Sequence, residues 1–345
     1  MRIRIFLFSA LAHVQPALAQ VLGWQTFGPP LYQVNAIATV SNAEATVYAG
    51  ASIYEVSQSA IFVSTDAGRT WRALVEAPRG DFYTEILVDA GDPRRIYAGA
   101  LSNGSANIYR SIDGGETWSL AWTVSSSCSP SLGLGAQPDT VLLSCGTRFL
   151  RSRDAGASWA ELSTPFTEPT RLASGMVGML FGYGPTRIFR GSSDGDSWSA
   201  VASAPASCPG INVLHVDRVD PTLFIVGAGL LGPGGFQCGG VFKSSSAGAT
   251  WTATGLSGVY VTDVVVDEQN ASTVYASASY LAGILPKGGV YESADGGTTW
   301  RTLRLPALGA LQLGLSPSGR FLHAATSIGV FDLGIRKTRV VAPRE

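Results

Sequence analysis

The sequence predicts an all-β, seven-bladed propeller of four-stranded antiparallel blades, closed by a strand from the N-terminal end. Three observations carry that expectation. An eight-residue phrase recurs along the chain, strand-like apolar runs flank each copy, and a three-strand remainder near the C-terminal end lacks a fourth strand that a segment near Trp24 can supply.

The phrase reads Ser64-Thr65-Asp66-Ala67-Gly68-Arg69-Thr70-Trp71 and returns at 111–118, 152–159 and 293–300. These copies place Asp113 and Trp118, Asp154 and Trp159, and Asp295 and Trp300 in register with Asp66 and Trp71. Two copies are degenerate. The one at 192–198, with Asp194 and Trp198, is a residue short, and the one at 244–251 carries Ser246 in place of the Asp ahead of Trp251. The first serines lie 40 to 52 residues apart, a period of radial or solenoid repeats.

Each copy reads as a hairpin turn. A short apolar run such as Ala60-Ile61-Phe62-Val63 precedes it and a second run follows. The Asp can accept hydrogen bonds from N–H groups of its own turn, the Gly permits positive φ, and the Trp covers apolar surface at the base of the hairpin. Two further runs precede each hairpin, as in Ile86-Leu87-Val88, the turn Asp92-Pro93, and Ile96-Tyr97-Ala98. Each repeat therefore offers four short strands. After Trp300 only three runs remain, at 311–315, 321–325 and 329–332, and the segment around Trp24 is the expected fourth. Such donation removes free sheet edges. Six blades with a decorated end is the alternative.

Composition fits a glycine-punctuated β chain: 46% hydrophobic, 14% charged, 41 Gly and 18 Pro. The formal net charge is −1, with no basic cluster interleaved with aromatics, so nucleic acid is not an expected partner. Residues 1–19 read as an export leader: Arg2 and Arg4, an apolar stretch to Ala12, and Ala17-Leu18-Ala19 as a cleavage site. The propeller is assigned to 20–335 and a tail to 336–345. The protein is expected to be periplasmic or secreted, not membrane-spanning, and a monomer. Export permits disulfides, and pairing of nearest neighbours joins Cys128 to Cys145 and Cys208 to Cys238. There is no Cys-x-x-Cys, and His215 and His323 read as core or channel histidines. No metal and no cofactor is expected.

The repeated phrase resembles the Asp-box, or bacterial neuraminidase repeat, family. That family includes sialidases, xyloglucan-degrading glycoside hydrolases, the sortilin ectodomain, photosystem II assembly-factor propellers and secreted bacterial repeat proteins. The resemblance implies that the turns lie at the blade periphery, so their Asp residues are structural. It also implies an Arg-Ile-Pro motif ahead of the first turn in a sialidase, and none precedes Ser64. A fold shared by so many activities does not name one.

Function must therefore come from aperiodic residues. Glu85 and Asp263 occupy matching positions just before the inner strands of blades two and six, with Asp81 just upstream. Tyr32, Tyr83 and Tyr260 fall in what read as entry loops at the hub. Flat rings beside carboxylates can grip a sugar or a peptide. The sequence-based expectation is a non-enzymatic binding or scaffold propeller that holds a protein or cell-surface glycan at its hub-side face, with these five residues as candidates. The alternative is a glycoside hydrolase acting on polysaccharide, with Glu85 and Asp263 as acid and base.

Overall fold

The structure, a computed structural model, describes residues 23–28, 32–53, 58–74, 82–126, 128–173, 179–280, 284 and 287–335. The leader, Asp81 and the tail at 336–345 lie outside the described residues.

The described residues form seven four-stranded antiparallel sheets. Blade 1 runs Gln33–Val40, Ala43–Ile53, Gln58–Ser64 and Arg72–Ala73 from hub to rim. The inner strands of blades 2 to 7 are Phe82–Val88, Ser131–Leu134, Arg171–Ala173, Ile211–Val216, Tyr260–Val266 and Gln312–Leu315. Each inner strand touches those of its two neighbours, and blade 7 touches blade 1, so the ring is closed. The seventh sheet excludes the six-bladed alternative.

Closure follows the expected route. Trp24–Gly28 pairs antiparallel with Gly329–Gly334, with Trp24 opposite Leu333. Trp24 is fully buried, and its Nε1 donates to the Leu303 carbonyl at 2.6 Å, which ties blade 7 to blade 6.

Blades stack face to face, so their second strands are buried on both sides. Ile96, Tyr97, Ala98 and Ala100 in blade 2 are fully buried. Small residues let neighbours approach: a Cβ on Gly50 would come within 2.8 Å of the Tyr83 Cβ. Tyr48, Ile61, Val63, Leu74, Tyr83, Ile86 and Ile96 make one continuous core between blades 1 and 2. At the seam between blades 7 and 1, His323 is a core residue, its Nδ1 2.5 Å from the Asp332 carboxylate.

The repeated phrase is a turn in which a buried serine and a solvent-facing aspartate, half-buried in the first copy and exposed in the next two and the last, divide the backbone donors. In the first copy the Ser64 hydroxyl accepts the Gly68 N–H at 2.8 Å and donates to Asp66 at 2.8 Å. Asp66 accepts the Thr70 N–H at 2.8 Å and the Thr70 hydroxyl at 2.6 Å. Gly68 has φ of 88°. Trp71 Nε1 donates to the Gly68 carbonyl at 2.9 Å. The serine and aspartate bonds recur around Asp113, Asp154 and Asp295, and Trp118 and Trp300, though not Trp159, repeat the indole bond. Hydrogen bonds from Thr117, Ser158 and Thr299 favour the ionised form and hold these three carboxyls down at about 2.

The degenerate copies behave differently. Ser246 reproduces the aspartate's part, accepting the Thr250 N–H at 3.0 Å. Asp194 does not act as a turn aspartate, contrary to expectation. With one residue fewer, the turn closes by Gly195 N–H to Ser192 carbonyl, and Ser192 Oγ accepts the Ser197 N–H. The Asp194 carbonyl instead accepts from Arg151 of blade 3 at 2.8 Å. Trp198 and Trp251 still bridge locally or outward, to Gly195 and to Ser203 of the preceding blade.

Cys128 is bonded to Cys145 and Cys208 to Cys238, with Cα separations of 5.3 and 5.6 Å. The first anchors the entry segment of blade 3 to its second strand; the second reaches the third strand of blade 5. Among the described residues no helix is long and apolar enough to cross a membrane, which leaves β-barrel spans unaddressed.

Candidate functional site

The inner strands of blades 1, 2, 5 and 6 share an irregularity. Each carries a β-bulge, between Val34 and Ala36, Tyr83 and Glu85, Ile211 and Val213, and Val261 and Asp263. A bulge inserts one unpaired residue and re-aims the side chains beside it. The extra residues are Asn35, Thr84, Asn212 and Thr262, and all four line one cavity of about 630 Å³ at the hub.

All seven blades contribute to that cavity. Phe82, Thr170, Arg171, Tyr183, Pro185 and Leu311 complete its principal walls, and Cys128 carries its disulfide into them. Arg171 is the one charged lining side chain among the described residues. Tyr183 is buried, hydrogen-bonds the Arg171 side chain, and has its hydroxyl pushed up to about 12 mainly by burial. Several amides and hydroxyls at this mouth are already engaged. Asn212 Nδ2 donates to the Val261 carbonyl at 2.8 Å, and the Thr262 hydroxyl donates to Ala310 at 2.8 Å.

Directly after the bulges come Glu85 and Asp263. Each reaches across to the next blade. Glu85 Oε2 accepts the Leu132 N–H at 3.0 Å, and Asp263 Oδ2 accepts the Leu313 N–H at 2.8 Å. Ser131 and Gln312, at the corresponding positions of blades 3 and 7, accept from Leu172 at 3.1 Å and Ile37 at 2.8 Å. The hub is thus laced by side chains that take a backbone donor of the following inner strand. In blade 4 the equivalent residue is Arg171, whose charge meets the fields of both Glu85 and Asp263.

Burial dominates the titration of both carboxyls. Desolvation pushes Glu85 up to about 7, opposed by the Arg171 charge and the bonds from Leu132 and Ser131. It pushes Asp263 up to about 6, opposed by the N–H groups of Leu313 and Val264 and by Arg171. Both also act on Tyr183, so the two carboxyls, the guanidinium and the phenol form one interacting group at the hub.

The five sequence candidates are not one cluster. Glu85, Asp263, Tyr83 and Tyr260 lie within inner strands, not in entry loops. Tyr83 is a correction: the bulge after it turns its ring into the core between blades 1 and 2, where it is fully buried and unable to grip a ligand. Tyr32 packs edge-on against Phe62 at 5.1 Å. Tyr260 stays near the mouth, its hydroxyl 3.4 Å from Asn212. Arg171, Tyr183 and the bulge residues were missed. The signal for Arg171 was its register with Glu85 and Asp263, hidden because its strand has only three residues.

The chain is a seven-bladed β-propeller of the Asp-box, or BNR-repeat, type, with the repeated serine–aspartate turn at its rim. The family description "BNR/Asp-box repeat" matches residues 109–120. Among curated proteins, the chain is 26% identical over 309 residues to a xyloglucanase of Paenibacillus, covering 82% of this chain and 27% of that protein. It is 25% identical over 307 residues to a xyloglucanase of Hypocrea jecorina, covering 83% of this chain and 34% of that one. The chain therefore spans about a third or less of the curated relatives it matches. Among solved structures, YCF48 from Cyanidioschyzon merolae superposes with a TM-score of 0.65 at 16% identity, covering 90% of this chain and 98% of that one. The GH74 xyloglucanase from Xanthomonas campestris gives 0.67 at 17% identity, covering 89% of this chain and 52% of that one. These likenesses overturn the expectation that enzymatic activity is the less favoured reading: xyloglucanases recur in both comparisons.

Proposed function

We propose that this propeller is an exported glycoside hydrolase acting on a polysaccharide of the β-glucan type, with the hub cavity as its site and Glu85 and Asp263 as its working carboxyls. The observation that carries the proposal is the pair itself. Two carboxyls from blades 2 and 6 directly follow Thr84 and Thr262, which line the hub cavity, and both interact with Arg171 and Tyr183 of its wall. Glycoside hydrolysis needs one carboxyl protonated and one ionised at the same pH. With Glu85 near 7 and Asp263 near 6, that state is most populated between those values. Glu85 is then the proton donor to the leaving oxygen and Asp263 the ionised partner. Their bonds to Leu132 and Leu313 fix both heads against the neighbouring blades. The similarity to xyloglucanases supports the substrate class.

The test is release of reducing ends from xyloglucan and other β-glucans. The expected profile against pH is a bell with limbs near 6 and 7. Glu85→Gln and Asp263→Asn should each lower turnover by about a hundredfold or more while leaving a folded propeller by circular dichroism. Absence of release from every β-glucan, or full activity in either folded variant, overturns the proposal.

A further inference from the structure

Within a wall that is otherwise neutral among the described residues, one exposed guanidinium faces the hub cavity. A neutral sugar does not require it. Arg171 does not lace the hub as Glu85, Ser131, Asp263 and Gln312 do, although it occupies the same position of its blade. Its planar fork is suited to a carboxylate, which it can hold through two parallel N–H donors. Asn35, Thr84 and Thr262 line the same cavity; each already bonds within the protein, and their remaining donor and acceptor sites suit sugar hydroxyls, while the Phe82 ring suits an apolar sugar face.

We propose that the hub cavity recognises a uronic-acid residue of an acidic saccharide, with Arg171 pairing its carboxylate. This rests on the reading that the propeller acts on a glycan, and it adds to the neutral β-glucan chain a uronic-acid unit, carried as a substituent, for which the cavity selects. The amides and hydroxyls orient the ring, and Arg171 distinguishes an acidic unit from a neutral one.

The arrangement also makes that preference depend on pH. The titratable groups facing Arg171 are Glu85 from blade 2, Asp263 from blade 6 and Tyr183 from its own blade. Tyr183 stays protonated throughout the physiological range, since its value is raised to about 12. Glu85 and Asp263 ionise as pH rises through about 7 and about 6, so the group passes from net positive to net negative. A ligand carboxylate is therefore held best in mild acid, where it is still ionised and the hub carboxyls are not.

Calorimetric titration with an oligogalacturonate trisaccharide and with a neutral β-1,4-linked glucose trisaccharide, at pH 5 and pH 8, tests this. The acidic sugar should bind about tenfold or more tightly than the neutral one at pH 5, with the difference shrinking at pH 8. Arg171→Gln should erase the preference, and Arg171→Lys should restore part of it. Glu85→Gln should carry the preference into pH 8. Equal affinity of the wild-type protein for both sugars at pH 5, or a preference that survives Arg171→Gln, overturns the proposal. The hydrolase reading is scored separately: uronate binding without reducing-end release removes that reading and leaves this one, and release from neutral β-glucan without uronate preference does the reverse.

Discussion

The rim and the hub of this propeller use the same functional group to opposite ends. At the rim, Asp113, Asp154 and Asp295 are exposed, saturated with hydrogen bonds from their own turns, and held down at about 2. At the hub, Glu85 and Asp263 are enclosed, bonded to the next blade, and raised to about 7 and about 6. The rim carboxylates repeat with the blades; the hub residues change from blade to blade, from Glu85 to Ser131 to Arg171 to Asp263 to Gln312. A periodic carboxylate array marks construction. An aperiodic set in one register marks a place where a single asymmetric ligand can be read.

The sharpest way to break the comparison is to open the ring that holds both regions. Trp24→Ala removes a fully buried indole and its bond to Leu303, and should cost about 3 to 5 kcal/mol, read as a shifted denaturation midpoint. An unmoved midpoint would mean that the closing strand is dispensable. Next comes the rim alone. Ser293→Ala leaves the buried Gly297 N–H without its acceptor and should cost about 1 to 3 kcal/mol, with ligand affinity at the hub unchanged. Loss of affinity in proportion to stability would show that rim and hub are not separable.

Titration separates the regions by direction. The hub carboxyls have raised values in the folded protein, so the stability they permit is full below about pH 4 and declines as pH rises through 6 and 7. The rim aspartates are lowered, so their contribution is present above about pH 4 and lost toward pH 2. Melting temperature should therefore fall by roughly a few degrees between pH 5 and pH 8, and Glu85→Gln should flatten that slope. A slope that persists in the variant would assign it elsewhere. The smallest effect belongs to exposed pairs: Glu116→Gln, which breaks the bridge to Arg72, should move the midpoint by no more than about 0.5 kcal/mol.

Legibility followed periodicity. The turns, the blade count and the closing strand were readable because each recurs or completes a recurring unit, and both disulfides because nearest neighbours paired. The site was half readable. Glu85 and Asp263 stood out as carboxyls just ahead of apolar runs, but Tyr83 read as an entry-loop residue, whereas it lies in the inner strand with its ring in the core, and the bulge after it places Thr84 at the cavity. Arg171 escaped notice because the strand Arg171–Ala173 is too short to show a pattern. Asp194 looked like a turn aspartate because composition survives a deletion that geometry does not.

The closing strand also imposes an order on assembly. The bond from Trp24 to Leu303 spans 279 residues, so the segment that leaves the ribosome early must wait for nearly all the rest before it has a partner. Until Gly329–Gly334 is made, Trp24–Gly28 has nothing to pair with and the last blade cannot exist. The propeller's final folding event is thus the capture of its own beginning, and any factor that shields an unpaired strand with a large indole would act on this chain at that moment.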